Sequence, residues 1–324
     1  MLSCYQLTLA STIAWFIYRG RLKDSKLSDD PGANLISSSD TYDATINPLA
    51  DTERPLSLSF YTVPELDALE TVAVAAVAGC RHVGLRLLGR QPGGGETALL
   101  SDPALRREVR AAMSAHSVSA LDANTVRLVP ATDIAAYSPF FDAASELGAR
   151  HVLTTVDDPE PDRLIDNLMR LCEMAAEHAL TIDFEFVPWL HLSNIEAAAR
   201  LIRQCKHPAL GISVDALHFF RSQGSPEQII QMPREWFRYA QLCDAASAVL
   251  PPSRDAFITE ATEERLPPGE GVIDLVSLLR ALPSGIPLAL EIPQVSLSHS
   301  QPAHIRVKQA VAATRRILRA AAAK

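Results

Sequence analysis

No Cys-x-x-Cys pair occurs in the 324 residues, and the five cysteines (Cys4, Cys80, Cys172, Cys205 and Cys243) are odd in number and widely scattered. That pattern argues against a disulfide framework and against a cysteine-built zinc site, and it fits a cytoplasmic protein. Basic residues are in deficit as well: 30 Lys and Arg against 38 Asp and Glu give a net charge of -8. A nucleic-acid binder usually advertises a basic face, so no nucleic-acid partner is expected. The apolar run at residues 7–18 (LTLASTIAWFIY) falls short of the ~18 residues of a membrane span. Its basic neighbours, Arg19, Arg21 and Lys23, follow it rather than precede it, unlike a secretory signal. Residues 1–55 are therefore read as a poorly ordered N-terminal extension, with no stable membrane insertion. A weak amphipathic anchor or uncleaved leader is the less favoured alternative. Residues 24–54, rich in Ser, Asp, Asn and Pro, should be linker.

What is present points to a large core: 48% of residues are hydrophobic and 21% charged, the balance of an ordinary globular chain. From Leu56 onward, short apolar runs alternate with helix-like segments. Strands are expected near residues 56–62, 82–87, 117–128, 151–156, 181–187, 210–216, 237–245 and 287–293. Helices are expected between them, one of them closed by Gly79 and another opened by Ser193. Eight strands alternating with helices favour an α/β (β/α)8 TIM barrel over residues 56–324. An open doubly wound sheet is weaker, because the first βα turn lacks a Gly-x-Gly-x-x-Gly fingerprint.

The chemistry gathers late in the chain. Glu185, Asp215 and Glu291 each stand near the end of an expected strand, and Gln241 holds the matching place on the seventh. Ser213 and Asp215 lie two apart and share a strand face, with His218 on the loop just beyond. The carboxyl ends of barrel strands are where such enzymes place their active sites. A long loop at residues 246–271 would sit beside them. Three carboxylates facing one another cannot all stay ionised without a cation. Either protons are shared or a divalent metal neutralises them. Oxygen donors without a thiolate favour Mg2+ or Mn2+, with Co2+ or Zn2+ as further options. The plainer alternative is a set of separate buried polar residues with local hydrogen bonds, which is costly on four strands at once.

The stretches Phe184-Glu185-Phe186, Val214-Asp215-Ala216-Leu217-His218, Gln241-Leu242-Cys243-Asp244-Ala245, Pro268-Gly269-Glu270-Gly271 and Leu290-Glu291-Ile292-Pro293 resemble the xylose isomerase-like TIM barrel superfamily. Sugar phosphate isomerases and epimerases, hydroxypyruvate isomerase, ketose 3-epimerases and 3-dehydroshikimate dehydratases belong to that group. The resemblance covers residues 56–320 and is strongest after Thr181. It implies that Glu185, Asp215, Gln241 and Glu291 hold one divalent metal ion, and that Glu185 and Glu291 also move protons about a substrate carbon. It implies further that His218 contacts a substrate oxygen, that Arg265 binds the substrate's polar end, and that a homodimer could form through exposed helices. The sugar enzymes usually carry histidine where this chain has Gln241; a glutamine there resembles the dehydratase branch. A nuclease relative is disfavoured, because DNA-repair members use many more histidine ligands.

The leading expectation is a metal-dependent isomerase or epimerase acting on a small sugar, sugar phosphate or hydroxy-keto acid through an enediolate. A 3-dehydroshikimate dehydratase-like lyase is the alternative, and a non-catalytic metabolite-binding barrel the third. Arg86 shares a strand face with Gly84 and could reach the substrate, although a salt bridge would explain it as well. Arg221 carries the same ambiguity. Trp189 could wall the pocket, Asp183 should support Glu185 from below, and Asp244 should cap the loop after it. Gly93-Gly94-Gly95 could cradle a phosphate through backbone amides, although such triplets are more often plain flexible loops.

Overall fold

Every apolar run expected as a strand pairs with its neighbour in the chain. The structure, a computed structural model, describes residues 52–89 and 95–323. Its strands are β1 (Leu56–Leu58), β2 (His82–Arg86), β3 (Ser119–Leu128), β4 (His151–Val156), β5 (Thr181–Glu185), β6 (Leu210–Asp215), β7 (Ala240–Leu242) and β8 (Leu288–Leu290). All neighbours are parallel, and β8 returns to β1 through Leu56↔Leu288 and Leu58↔Leu290, closing the barrel. The main helices are α1 (Ala68–Ala78), α2 (Pro103–His116), α3 (Ser138–Glu146), α4 (Pro161–Glu177), α5 (Ile195–Cys205), α6 (Ala216–Arg221), α7 (Pro226–Ile230), α8 (Arg254–Glu263), α9 (Leu275–Ala281) and α10 (Ala303–Ala322).

Local chemistry sets these boundaries. Asp67 and Glu70 form a reciprocal cap at the start of α1, and Gly79 ends that helix at φ 86°, a left-handed position that favours glycine. Asn194, rather than the expected Ser193, caps α5 by accepting from the Ala197 amide. Three strands, β1, β7 and β8, are less than half as long as their apolar runs. Ser59 accepts the Tyr61 amide and turns the chain after β1 into a 3-10 turn, Phe60–Thr62. Beyond β7 the backbone of Asp244 pairs with Leu266 in the following loop instead of with a barrel strand. The expected loop at residues 246–271 contains α8, opened by a Ser253 cap. His218 stands in α6, not in a loop.

Contacts with the barrel begin before Leu56. Buried Arg54 donates to the Leu279 carbonyl at 3.1 Å, and the Pro55 carbonyl receives the Leu288 amide. Residues 1–51 and Gly93-Gly94 lie outside the described residues, and with them the expectations for the leader and most of the glycine loop. Among the described residues no helix is long and apolar enough to cross a membrane. Cys80, Cys172, Cys205 and Cys243 are free and buried.

Charge is also buried below the site. Asp183 lies between Arg238 (3.0 Å) and His151 (3.3 Å) and accepts the Thr181 hydroxyl. That supports its expected structural role. Gly211 faces this pair; a Cβ there would run into Arg238 and Asp183. Among the described residues Asp122 has no such ion pair. It accepts from Asn124 Nδ2 at 3.0 Å and stands 3.5 Å from the Tyr239 hydroxyl. Burial pushes its carboxyl up from 3.8 to about 6. Folding therefore takes up a proton between those two values. The stability that this proton brings is full below about pH 4 and is lost as the pH rises through 6, a cost of up to ~3 kcal/mol. Asp122→Asn is expected to match or exceed the wild type in urea unfolding at pH 7.5, with the gain vanishing near pH 4. A variant destabilised equally at both pH values would contradict this.

Candidate active site

Barrel geometry brings the late acidic residues to one end. Glu185 is the last residue of β5, Asp215 the last of β6, and Glu291 the first beyond β8. Asp215 pairs in register with Gln241, and Leu242 with Leu290, so Gln241 and Glu291 stand at adjoining levels. Oxygens of Glu185, Asp215 and Glu291 lie within 4.8 Å of one another, and all three residues are buried.

Each carboxylate meets a different environment. Asp215 ends its strand and caps α6, with Oδ1 accepting the His218 amide at 2.9 Å. Its Oδ2 receives Arg265 Nη1 at 2.6 Å. Burial works against the charged form, yet Arg265, with His218 behind it, holds Asp215 below the usual carboxylate range. Glu291 Oε2 accepts from Gln241 Nε2 (2.6 Å) and Ser59 Oγ (3.0 Å), and Oε1 stands 3.5 Å from Arg265 Nη2. Burial nonetheless raises Glu291 to about 7. Glu185 is the least compensated. Its Oε1 is buried without a hydrogen-bond partner, 4.0 Å from His218 Nε2. Burial, followed by repulsion from Glu291 and Asp215, pushes it well above its ordinary value.

This arrangement suits a divalent ion. The donors are hard oxygens, they converge, and one of them, Glu185 Oε1, has no partner among the described residues. Gln241 fits less directly. Its Oε1 accepts from Ser213 Oγ at 3.3 Å, and it turns its amide nitrogen, which cannot ligate, toward Glu291. To serve as the expected fourth donor the amide must turn over. The Ser213 hydroxyl can then accept where it now donates.

His218 is neutral: burial lowers its imidazole to about 4. Its Nδ1 is buried without a partner, and its ring packs edge-on against Trp189 with centroids 5.2 Å apart. Trp189 is thus at the site, as expected of a pocket wall. Asp244 accepts amides from Ala245 and Ile273 through Oδ1 and from Gly269 through Oδ2, stapling the Pro-Gly-Glu-Gly turn to β7.

Two arginines are turned to partners within the protein, Arg221 in the salt bridge that was its alternative. Arg265, expected at a substrate's polar end, is only 2% exposed. It is paired with Asp215 and Glu291 and tied by Nε to the Ala261 carbonyl at 2.8 Å. Two buried carboxylates hold a guanidinium more firmly than an exposed ligand could. Arg221 commits every guanidinium nitrogen to protein: Nε to Glu260 Oε2 (2.7 Å), Nη1 to the Val249 carbonyl (3.2 Å) and Nη2 to the Ser247 carbonyl (2.9 Å). With the second Nη2 bond to Glu260, four of its five N–H donors are spent within the protein. Arg86 is half-buried at the end of β2, with Nε on the Leu88 carbonyl at 3.0 Å and its guanidinium over Phe60. Ser59 and Arg127 were not singled out from the sequence. Ser59 bonds Glu291, and Arg127 is near enough to lower the Glu185 pKa. Ser59 directly follows β1 as Glu291 does β8, and Arg127 is the penultimate residue of β3. Position at a strand's carboxyl end was the signal that could have found both.

Comparison with known proteins finds similar chains and similar folds. The chain is 34% identical over 164 residues to a 3-dehydroshikimate dehydratase of Pseudomonas putida, a match covering 47% of this chain and 25% of that protein. A Pseudomonas aeruginosa protein of the same name matches to the same extent. The chain thus spans about a quarter of the length of the curated relatives it matches. Among solved structures, the IOLI protein with a bound zinc atom superposes with a TM-score of 0.68 at 18% identity, covering 82% of this chain and 98% of that one. The probable 3-DHS dehydratase AsbF of Bacillus anthracis gives 0.64 at 15%, covering 80% and 98%. A family model described as xylose isomerase-like TIM barrel matches residues 72–320. With the closed eight-stranded barrel and that match in hand, the chain belongs to the xylose isomerase-like TIM barrel family.

Proposed function

We propose that the protein is a divalent-metal-dependent lyase that dehydrates a cyclic hydroxy-ketone of the 3-dehydroshikimate type. The observation that carries this reading is the 34% identity to proteins named 3-dehydroshikimate dehydratase. Gln241, where the sugar enzymes usually carry histidine, supports it independently. The isomerase or epimerase, favoured on the sequence alone, gives way on these two grounds. A purely binding role is disfavoured because three converging buried carboxylates are expensive to keep without chemistry.

An ion held by Glu185, Asp215, Glu291 and a turned-over Gln241 would act as a Lewis acid on the substrate carbonyl, acidifying the neighbouring C–H. Glu185 and Glu291 then divide the proton work. One carboxylate takes the proton from the carbon next to the carbonyl. The freed electron pair forms the new double bond, and the hydroxyl on the following carbon leaves, protonated, as water. His218, neutral and with Nδ1 unsatisfied, is placed to hold a substrate oxygen. Arg265 keeps Asp215 ionised throughout. Since Arg265 is so engaged, Arg86 takes over as candidate for the substrate's polar end.

Three outcomes test this. Incubation with 3-dehydroshikimate should generate ultraviolet absorbance from a conjugated product. No absorbance change with that substrate, together with solvent exchange into a keto-sugar, would return the assignment to an isomerase. Glu185→Gln and Glu291→Gln should each lower kcat by roughly 10^2–10^4-fold, the usual worth of a general acid or base. Their circular dichroism should stay native, and full activity in both would refute the assigned roles. Dialysis against a chelator should abolish turnover and lower Tm, and Mn2+, Mg2+, Co2+ or Zn2+ should restore both. Saturation a thousandfold above Kd would contribute ~4 kcal/mol of stability.

A further inference from the structure

The connection from β7 to β8 is long, and its helix is weakly anchored by apolar packing. Of the ten residues of α8 only Ala261 is buried, and Val249 and Leu250, which precede the helix, are exposed. A segment of this length needs some other tether if it is to hold one place. Arg221 supplies it. The residue closes α6, three positions after His218, and its side chain is 2% exposed. Its planar fork grips the Ser247 and Val249 carbonyls at the start of the connection and both Glu260 oxygens on α8.

What α8 touches gives the tether a purpose. Phe257 lies 6.1 Å from the ring of Trp189, which lies edge-on against His218. One residue after Glu260, the Ala261 carbonyl receives Arg265 Nε, and Arg265 Nη1 in turn holds Asp215. We infer that Arg221 and Glu260 are positioning residues: their ion pair fixes α8 so that Ala261 aims Arg265 at Asp215 while Phe257 keeps Trp189 against His218. Neither residue touches substrate; each acts through those intermediaries. A lysine could not replace Arg221, because a single ammonium cannot reach two carbonyls and a bidentate carboxylate in these directions.

The test reads α8 and the site separately. Trp15→Phe and Trp236→Phe leave Trp189 as the sole tryptophan for emission. In that background Glu260→Gln should speed amide hydrogen exchange at least tenfold over residues 254–263, with the barrel strands unchanged, and should red-shift Trp189. With 3-dehydroshikimate, kcat/KM should fall at least tenfold. Glu260→Asp keeps the charge and should recover part of all three, which also guards against a general folding defect in the glutamine variant. Faster exchange with unaltered Trp189 emission and unaltered kinetics would reduce the clasp to a loop tether and overturn the inference. Unaltered exchange would overturn it outright. The kinetic arm alone rests on the dehydratase reading. If the wild type does not turn over that substrate, the reading of function fails, while exchange and emission still decide the clasp.

Discussion

Repulsion among three buried carboxylates is the constraint around which the upper half of the barrel is built. Glu185, Asp215 and Glu291 bring oxygens within 4.8 Å in a place largely closed to water. Like charges so placed drive one another toward the neutral acid. The protein answers unevenly. Asp215 receives a guanidinium and a helix amide and stays ionised. Glu291 receives two neutral donors and a more distant contact from the same guanidinium, and Glu185 receives almost nothing. This gradient gives proton-transfer chemistry what it requires: carboxyl groups in one site whose environments separate their affinities for a proton.

The same barrel handles buried charge quite differently at its other polar layer. Asp183 is enclosed by Arg238, His151 and Thr181, with both oxygens satisfied. It is held below the ordinary carboxylate range despite burial. Asp183 and Glu185 sit two residues apart on one strand, yet one is sated and the other left open. The contrast fits the proposed reading, with chemistry at the carboxyl end of the strands and a structural role below it, the usual division in this architecture.

The fold was legible because period and punctuation agreed: eight apolar runs, and Gly79 at a left-handed stop. The acidic residues were legible because strand ends can be read from a run's last apolar residue. Strand lengths were not. Apolar character in 237–245 reports burial, and Tyr239 and Cys243 are buried outside the paired span of β7. The partners of the arginines were not legible for a related reason. A lone arginine near a site reads as a ligand for something external, whereas the partners of Arg265 and Arg221 come from residues 50 and 39 positions away in the chain. Sequence proximity carries no trace of such pairings. Ser59 was hidden in the same way, 232 residues from Glu291.

Charge counting within the site narrows the ion that would complete it. Three carboxylates contribute three negative charges when ionised, and Arg265 returns one positive charge by pairing with Asp215 and Glu291. His218 is neutral and contributes none. Two negative charges remain. A monovalent cation would leave one of them buried without compensation, and full protonation would remove the base that a dehydration needs. A doubly charged ion would balance the set and allow Glu185 to stay ionised. On this account Arg265 belongs to the electrostatics of the metal site rather than to substrate recognition: without it the same acids would carry an excess charge that one divalent ion could not cancel.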